Sequence, residues 1–170
     1  MRYVITGGPG SGKSSLLREL SVGNHSNFVP EIARDLFKIL NKYEPEKLKD
    51  RAFVQNYIET THIKNWVENP FGIFDRGLPD EIGYRKFFGE PISENLKKNC
   101  RNLRYDKVFF LPFWEEIFIN DEQRKETLEQ AKTLEMLISL AYEDVGYELI
   151  IVPKISVYDR VSFVNDAIHD

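Results

Sequence analysis

Short apolar blocks alternate with longer amphipathic stretches along the whole chain. Blocks near Arg2–Thr6, Asn27–Pro30, Phe71–Asp75, Tyr105–Leu111 and Tyr147–Val152 read as strands. The last three are continuous apolar runs of the kind buried on both faces of a parallel sheet. Between the blocks, apolar residues recur at helical spacing over Gly12–Val22, Glu31–Lys42, Glu46–Glu68, Pro79–Phe88, Glu94–Leu103, Asp121–Val145 and Val157–Ile168. Gly146 stands where a helix should stop before the final strand, and Pro45, Pro70, Pro91, Pro112 and Pro153 mark further boundaries. This βαβ rhythm predicts an α/β fold: a five-stranded parallel sheet between two helical layers. No repeat, low-complexity tract or linker interrupts it, so residues 1–170 are expected to form a single domain.

The first strand runs straight into Gly7-Gly8-Pro9-Gly10-Ser11-Gly12-Lys13-Ser14-Ser15. Gly7, four residues, then Gly12-Lys13-Ser14 is the P-loop spacing. Small residues let successive backbone N–H groups curl around phosphate oxygens, and the helix that follows aims its positive end at the same anion. Gly8, Gly10, Ser11, Gly12, Lys13, Ser14 and Ser15 are therefore the expected phosphate-binding residues. Lys13 would reach the β- and γ-phosphates and Ser14 would ligate Mg²⁺. The plain alternative is a Gly-rich turn, but an apolar strand precedes the motif and Leu16, Leu17 and Leu20 follow at helical spacing. The fold class sharpens to a three-layer P-loop NTPase fold with a helical lid.

In open parallel sheets ligands sit beyond the carboxyl ends of the strands. Asp75 ends the Phe71–Asp75 strand and is expected in the Mg²⁺ shell, or as acceptor of a substrate proton; otherwise it caps the next turn. Arg76 follows it where many ATP-hydrolysing machines place a water-polarising glutamate. Glu31 and Arg34 lie one helical turn apart after the second strand, suited to a substrate hydroxyl or to a surface ion pair. Asp80, with Tyr84, would face the substrate or cap a helix. A lid over approximately residues 113–132 begins at Phe113-Trp114 and carries Arg124, a charge stabiliser for phosphoryl transfer, with Lys125 as the alternate. Asp121 and Ser156 are both good N-caps, and Ser156 also stands in the loop expected beside the nucleotide base.

Hydrophobic residues make up 42% of the chain and the net charge is −4, so no basic footprint for nucleic acid is present. The single cysteine, Cys100, fits a reducing cytoplasm. No apolar stretch approaches membrane-spanning length, and the P-loop starts too early for a signal peptide.

These pieces together resemble a family of small P-loop ATPase-like proteins classed with AAA-type domains by sequence. They are similar to the nicotinamide riboside kinase domain of a bifunctional NAD-biosynthesis regulator. The resemblance rests on Gly7–Ser15, Glu31-Ile32-Ala33-Arg34, Asp75-Arg76-Gly77 with Asp80 and Gly83-Tyr84, Trp114 with Asp121 and Arg124, and Val152-Pro153 with Ser156-Val157 and Arg160. It implies ATP–Mg²⁺ as donor and a small nucleoside-like acceptor. Asp75-Arg76-Gly77 departs from that kinase's acid-rich third-strand segment. Lys13, Asp75 and Arg124 are then the expected catalytic residues, and Glu31, Arg34, Arg76 and Asp80 the acceptor site. A nucleotide-dependent ATPase or GTPase switch acting through a protein or lipid partner is the alternative. The Asn-Lys-x-Asp guanine signature is missing: Asn41-Lys42-Tyr43-Glu44 ends in glutamate.

Overall fold

The computed structural model describes residues 1–23, 27–118 and 127–169. Five parallel strands, β1 (Arg2–Thr6), β2 (Phe28–Val29), β3 (Gly72–Asp75), β4 (Lys107–Phe110) and β5 (Leu149–Ile151), form one sheet in the order β2-β3-β1-β4-β5. The register aligns Ile5 with Asp75 and Thr6 with Phe110, and Phe110 with Ile151. Strands therefore end level, and the segments leaving them emerge along one edge. β1 lies between β3 and β4, so the chain order reverses beside it, which is where such sheets open a crevice.

Side chains alternate along each strand between two apolar layers. Val4, Phe74, Val108 and Phe110 join one core with Leu78, Ile82, Leu134 and Ile138 from α4 (Leu78–Phe88) and α6 (Leu128–Asp144). Tyr3, Ile5, Ile73 and Phe109 join the other with Leu16 and Leu20 from α1 (Lys13–Gly23) and Val164 from α7 (Val157–His169). A satellite cluster joins Ile32, Leu36 and Leu40 of α2 (Ile32–Tyr43) to Ile58 of α3 (Arg51–Glu68). α5 (Glu94–Asn102) buries Leu96 and Cys100 on the α4 side. This is the three-layer α/β fold expected from the alternation of blocks.

Two helix boundaries differ from expectation. The stretch over Glu46–Glu68 is broken into a 3₁₀ turn, Pro45–Lys49, and α3, because the Asp50 side chain accepts from Phe53 N at 3.0 Å and caps a new helix. α6 starts at Leu128 rather than Asp121. Thr127 caps it, with Gln130 N donating to Thr127 Oγ1 at 3.2 Å and Gln130 Oε1 accepting from Thr127 N at 2.9 Å. Of the expected lid, the described residues include the Glu115–Ile117 turn and the first part of α6; Asp121, Arg124 and Lys125 lie outside them.

Gly83 sets how closely α4 approaches α6, since a Cβ there would lie 2.9 Å from Ile138 Cα. Gly83→Val is expected to cost about 1–3 kcal/mol by overpacking, read as a lower urea midpoint at constant m; an unchanged midpoint would show that the contact can relax.

Candidate functional site

The level strand ends bring Gly7, Glu31, Asp75 and Arg76, Phe113 and Trp114, and Pro153 to one edge. Gly7 leaves β1 with φ +148, and a Cβ there would lie 2.4 Å from the Leu111 carbonyl oxygen. Only glycine lets the phosphate loop turn so close to the end of β4. Lys13, at the start of α1, is buried and donates from Nζ to Asp75 Oδ1 at 2.5 Å. Burial works against both charges, pulling the Lys13 pKa down and pushing that of Asp75 up, while the Coulomb attraction between them favours both charged forms.

Arg76 follows Asp75 with φ +70, the one non-glycine residue with positive φ among those described. A side chain in this region costs about 1–3 kcal/mol and persists where surrounding contacts over-determine it. Here its N–H donates to the Ile5 carbonyl at 3.1 Å. Its guanidinium donates from Nε to Glu31 Oε1 at 3.0 Å, and from Nη1 to Asp80 Oδ1 at 3.0 Å and the Gly7 carbonyl at 3.2 Å. Burial alone would push Glu31 up, but the opposing charges of Arg76 and Lys13 hold its carboxyl down at about 2. Glu31 Oε2 also faces Arg34 Nη2 at 3.3 Å, and Arg34 donates to Ser14 Oγ at 3.3 Å.

Asp80 is enclosed, with both carboxylate oxygens committed: Thr6 Oγ1 donates at 2.7 Å, Tyr142 OH at 2.6 Å and Gly77 N at 3.0 Å, besides Arg76. Of its two sequence readings, the geometry matches the helix-capping one. Asp80 anchors Arg76 from behind and does not face the crevice. Ser156 is exposed and accepts from Asp159 N at 3.2 Å, capping α7. Ser15 is exposed on α1.

Three contributors, Thr6, Tyr142 and His62, escaped sequence reasoning, and Arg160 was named there with no role. Thr6 and Tyr142 hold Asp80. Arg160, from α7, donates to the Ser11 carbonyl at 2.9 Å. His62, buried on α3, lies within electrostatic reach of Asp80, Arg76 and Glu31, and burial pulls its imidazole down to about 4. None of the four carries a local motif that would show its role.

A cavity of about 200 Å³ runs from Ser14 and Asp75 to Glu31, Arg34 and Phe28. A larger one, about 290 Å³, lies at the opposite edge beside Arg104 and Tyr147. There Arg104 is already bonded to the Val145 and Gly146 carbonyls at 2.6 and 2.9 Å. The smaller cavity lies at the carboxyl edge with the charged cluster and is the candidate site.

Residues 2–160 match the AAA domain family. The chain belongs to that family. No curated protein sequence matches this AAA domain. Among solved structures it is similar to deoxyadenosine kinase from M. mycoides with bound dATP, at 18% identity and TM-score 0.71 over 100% of both chains. It is also similar to the NadR protein in complex with NR, at 18% identity and TM-score 0.70, over 99% of this chain and 50% of that one. Shikimate kinase from Acinetobacter baumannii in complex with shikimate aligns at 14% identity and TM-score 0.61, over 99% of this chain and 92% of the other. At these identities the likeness is one of fold, and it places the AAA domain among small P-loop kinase folds. No helix among the described residues is long and apolar enough to cross a membrane.

Beside the site, burial pushes the Glu81 carboxyl from 4.5 up to about 8, with Arg85 pulling the other way. A raised folded value means that Glu81 stays protonated in the folded chain while the unfolded chain ionises. Its contribution to stability is thus fully present below pH about 4.5 and lost as pH rises through about 8. Glu81→Gln should flatten the decline in unfolding free energy between those values, measured by urea denaturation at a series of pH values. An identical slope in the variant would assign the decline to other groups.

Proposed function

We propose that this AAA domain is a kinase that transfers the γ-phosphate of ATP to a hydroxyl of a small nucleoside-like metabolite, with residues 1–170 acting as one domain. The observation carrying this reading is the placement of Glu31. Arg76 ties it, at 3.0 Å, to the same guanidinium that holds the first residue of the phosphate loop. An ionised carboxylate therefore stands at a set position beyond the phosphate end of the loop, as transfer to a bound hydroxyl requires and simple nucleotide binding does not.

The glycine-formed cradle and buried Lys13 suit a polyphosphate. Ser14 and Asp75 are the residues that would hold Mg²⁺. Among the described residues no group of three or more His, Cys, Asp or Glu could hold a metal ion; nucleotide oxygens would supply the remaining ligands of Mg²⁺ at Ser14 and Asp75. Bound there, Mg²⁺ would neutralise charge on the phosphates.

Lys13 steadies the transferring phosphoryl group. Glu31, oriented by Arg76 and Arg34, accepts the hydrogen bond of the acceptor hydroxyl. The hydroxyl oxygen attacks the γ-phosphorus, the bond to the bridging oxygen breaks, ADP leaves and the proton passes to Glu31. A carboxylate with a pKa near 2 suffices because the transition state is loose and the proton moves late. Arg124, on sequence grounds, is the lid residue closing over the moving charge. The nucleoside-like acceptor is supported by the resemblance of the Glu31, Arg76 and Asp80 segments to a riboside kinase and by the deoxyadenosine kinase fold. The shikimate kinase likeness shows that other acceptors occur on the same scaffold.

The test is ADP release with Mg–ATP against a panel of deoxynucleosides, ribonucleosides, nicotinamide riboside and shikimate. A saturable increase with a nucleoside is expected. Turnover that no acceptor raises would favour the nucleotide switch instead. Glu31→Gln, isosteric and still able to accept from Arg76, should lower kcat by about 10²–10⁴ with little change in the KM for ATP; an unchanged kcat would remove Glu31 from the chemistry.

A further inference from the structure

We infer that Arg160 is a positioning residue of the phosphate cradle, aiming the Gly12 N–H at the nucleotide's phosphates and tying the cradle to the segment that follows β4. The inference rests on the nucleotide-binding reading above but concerns a residue of the last helix, 149 positions from the loop it touches.

The guanidinium of Arg160 is buried and spends its donors on two backbone segments. Nε donates to the Pro153 carbonyl and Nη1 to the Ser11 carbonyl, both at 2.9 Å. The peptide joining Ser11 to Gly12 is planar and trans, so its C=O and N–H point to opposite sides. Pinning the Ser11 carbonyl against the guanidinium turns the Gly12 N–H the other way. In a loop that binds phosphate through its N–H groups, that is the ligand side. The cation also polarises this peptide, strengthening its N–H as a donor.

Gly12 is shaped for this approach. Its φ is +80, and a Cβ there would lie 2.8 Å from Arg160 Nη1. A side chain at this position would push the guanidinium off the Ser11 carbonyl as well as straining the turn. Beside the loop, Arg160 Nη2 and Ser11 Oγ are buried with no hydrogen-bond partner among the described residues.

The other face of the guanidinium lies 4.6 Å from the ring centroid of Trp114, and the Trp114 backbone N–H donates to the Gly10 carbonyl at 3.3 Å. One arginine thus joins the phosphate loop, the segment after β4 and the loop after β5. Lysine can replace it only in part: its single ammonium keeps the charge but lacks the planar fork that serves two carbonyls while stacking on an indole.

The experiment compares wild type, Arg160→Gln and Arg160→Lys for ADP and AMP affinity by calorimetry with Mg²⁺, well below each variant's melting temperature. ADP affinity should fall about tenfold in Arg160→Gln and be partly recovered in Arg160→Lys, while AMP, which lacks the β-phosphate, changes less than about twofold. The KM for ATP should rise in parallel, with the acceptor KM unmoved. A lower melting temperature with unchanged ADP affinity in both variants would reduce Arg160 to a packing residue. Equal losses for ADP and AMP would assign it to the base side and overturn the cradle role. If Arg160→Gln does not fold, Arg160→Lys decides by the same comparison. Wild-type protein that binds neither nucleotide would overturn the kinase reading and this inference together, whereas normal wild-type binding with indifferent variants would overturn the inference alone.

Discussion

The largely buried guanidinium of Arg76 is the interaction on which the site depends. It joins the end of β1 through the Gly7 carbonyl, the start of α2 through Glu31, and α4 through Asp80. A guanidinium taken out of water is tolerated only when its charge and donors are met, and here two carboxylates and a carbonyl meet them. The left-handed backbone of Arg76 is the local cost of turning the side chain back under the phosphate loop. Asp80 cannot drift away, because Thr6 and Tyr142 hold its oxygens from the opposite side. Glu31 inherits its place and its low pKa from this anchoring.

Around that anchor, opposite charges alternate: Lys13 against Asp75, Arg76 between Glu31 and Asp80, and Arg34 between Glu31 and Ser14. Each ion partly offsets the desolvation of its neighbour, so the cluster acts as a unit. Removing Lys13 or Asp75, both buried, would leave its partner's charge unpaired out of water. Ser14, Glu31, Arg34 and Asp75 line one cavity, with Lys13 buried against Asp75. Neutral Glu81 and His62 lie behind, where burial suppresses their ionisation.

Much of this was legible in the chain before any coordinate. The strands are short and apolar on both faces, so their number and rough extent could be read from the alternation of blocks. The phosphate loop could be read because its chemistry is local, nine successive residues that must bend around an anion. Acids and bases after each strand could be named because the parallel sheet sends every strand end to one edge. Helix starts were less legible. Asp50 and Thr127 won as caps over other polar residues nearby, and that choice depends on which turn can pack.

What the sequence by itself determined was therefore the layer architecture, the nucleotide loop and the pool of charged residues at its rim. These follow from periodicity and from spacing within a single segment. Tertiary structure alone decided which of those residues face the crevice and which support it from behind. Asp80 was turned inward because Thr6 and Tyr142, 74 and 62 positions away in the chain, meet its carboxylate. Arg160 was brought under the loop because α7 packs on the same face of the sheet as α1. Such pairings bridge residues remote in sequence, and they are set by the order of strands in the sheet, which no local pattern encodes.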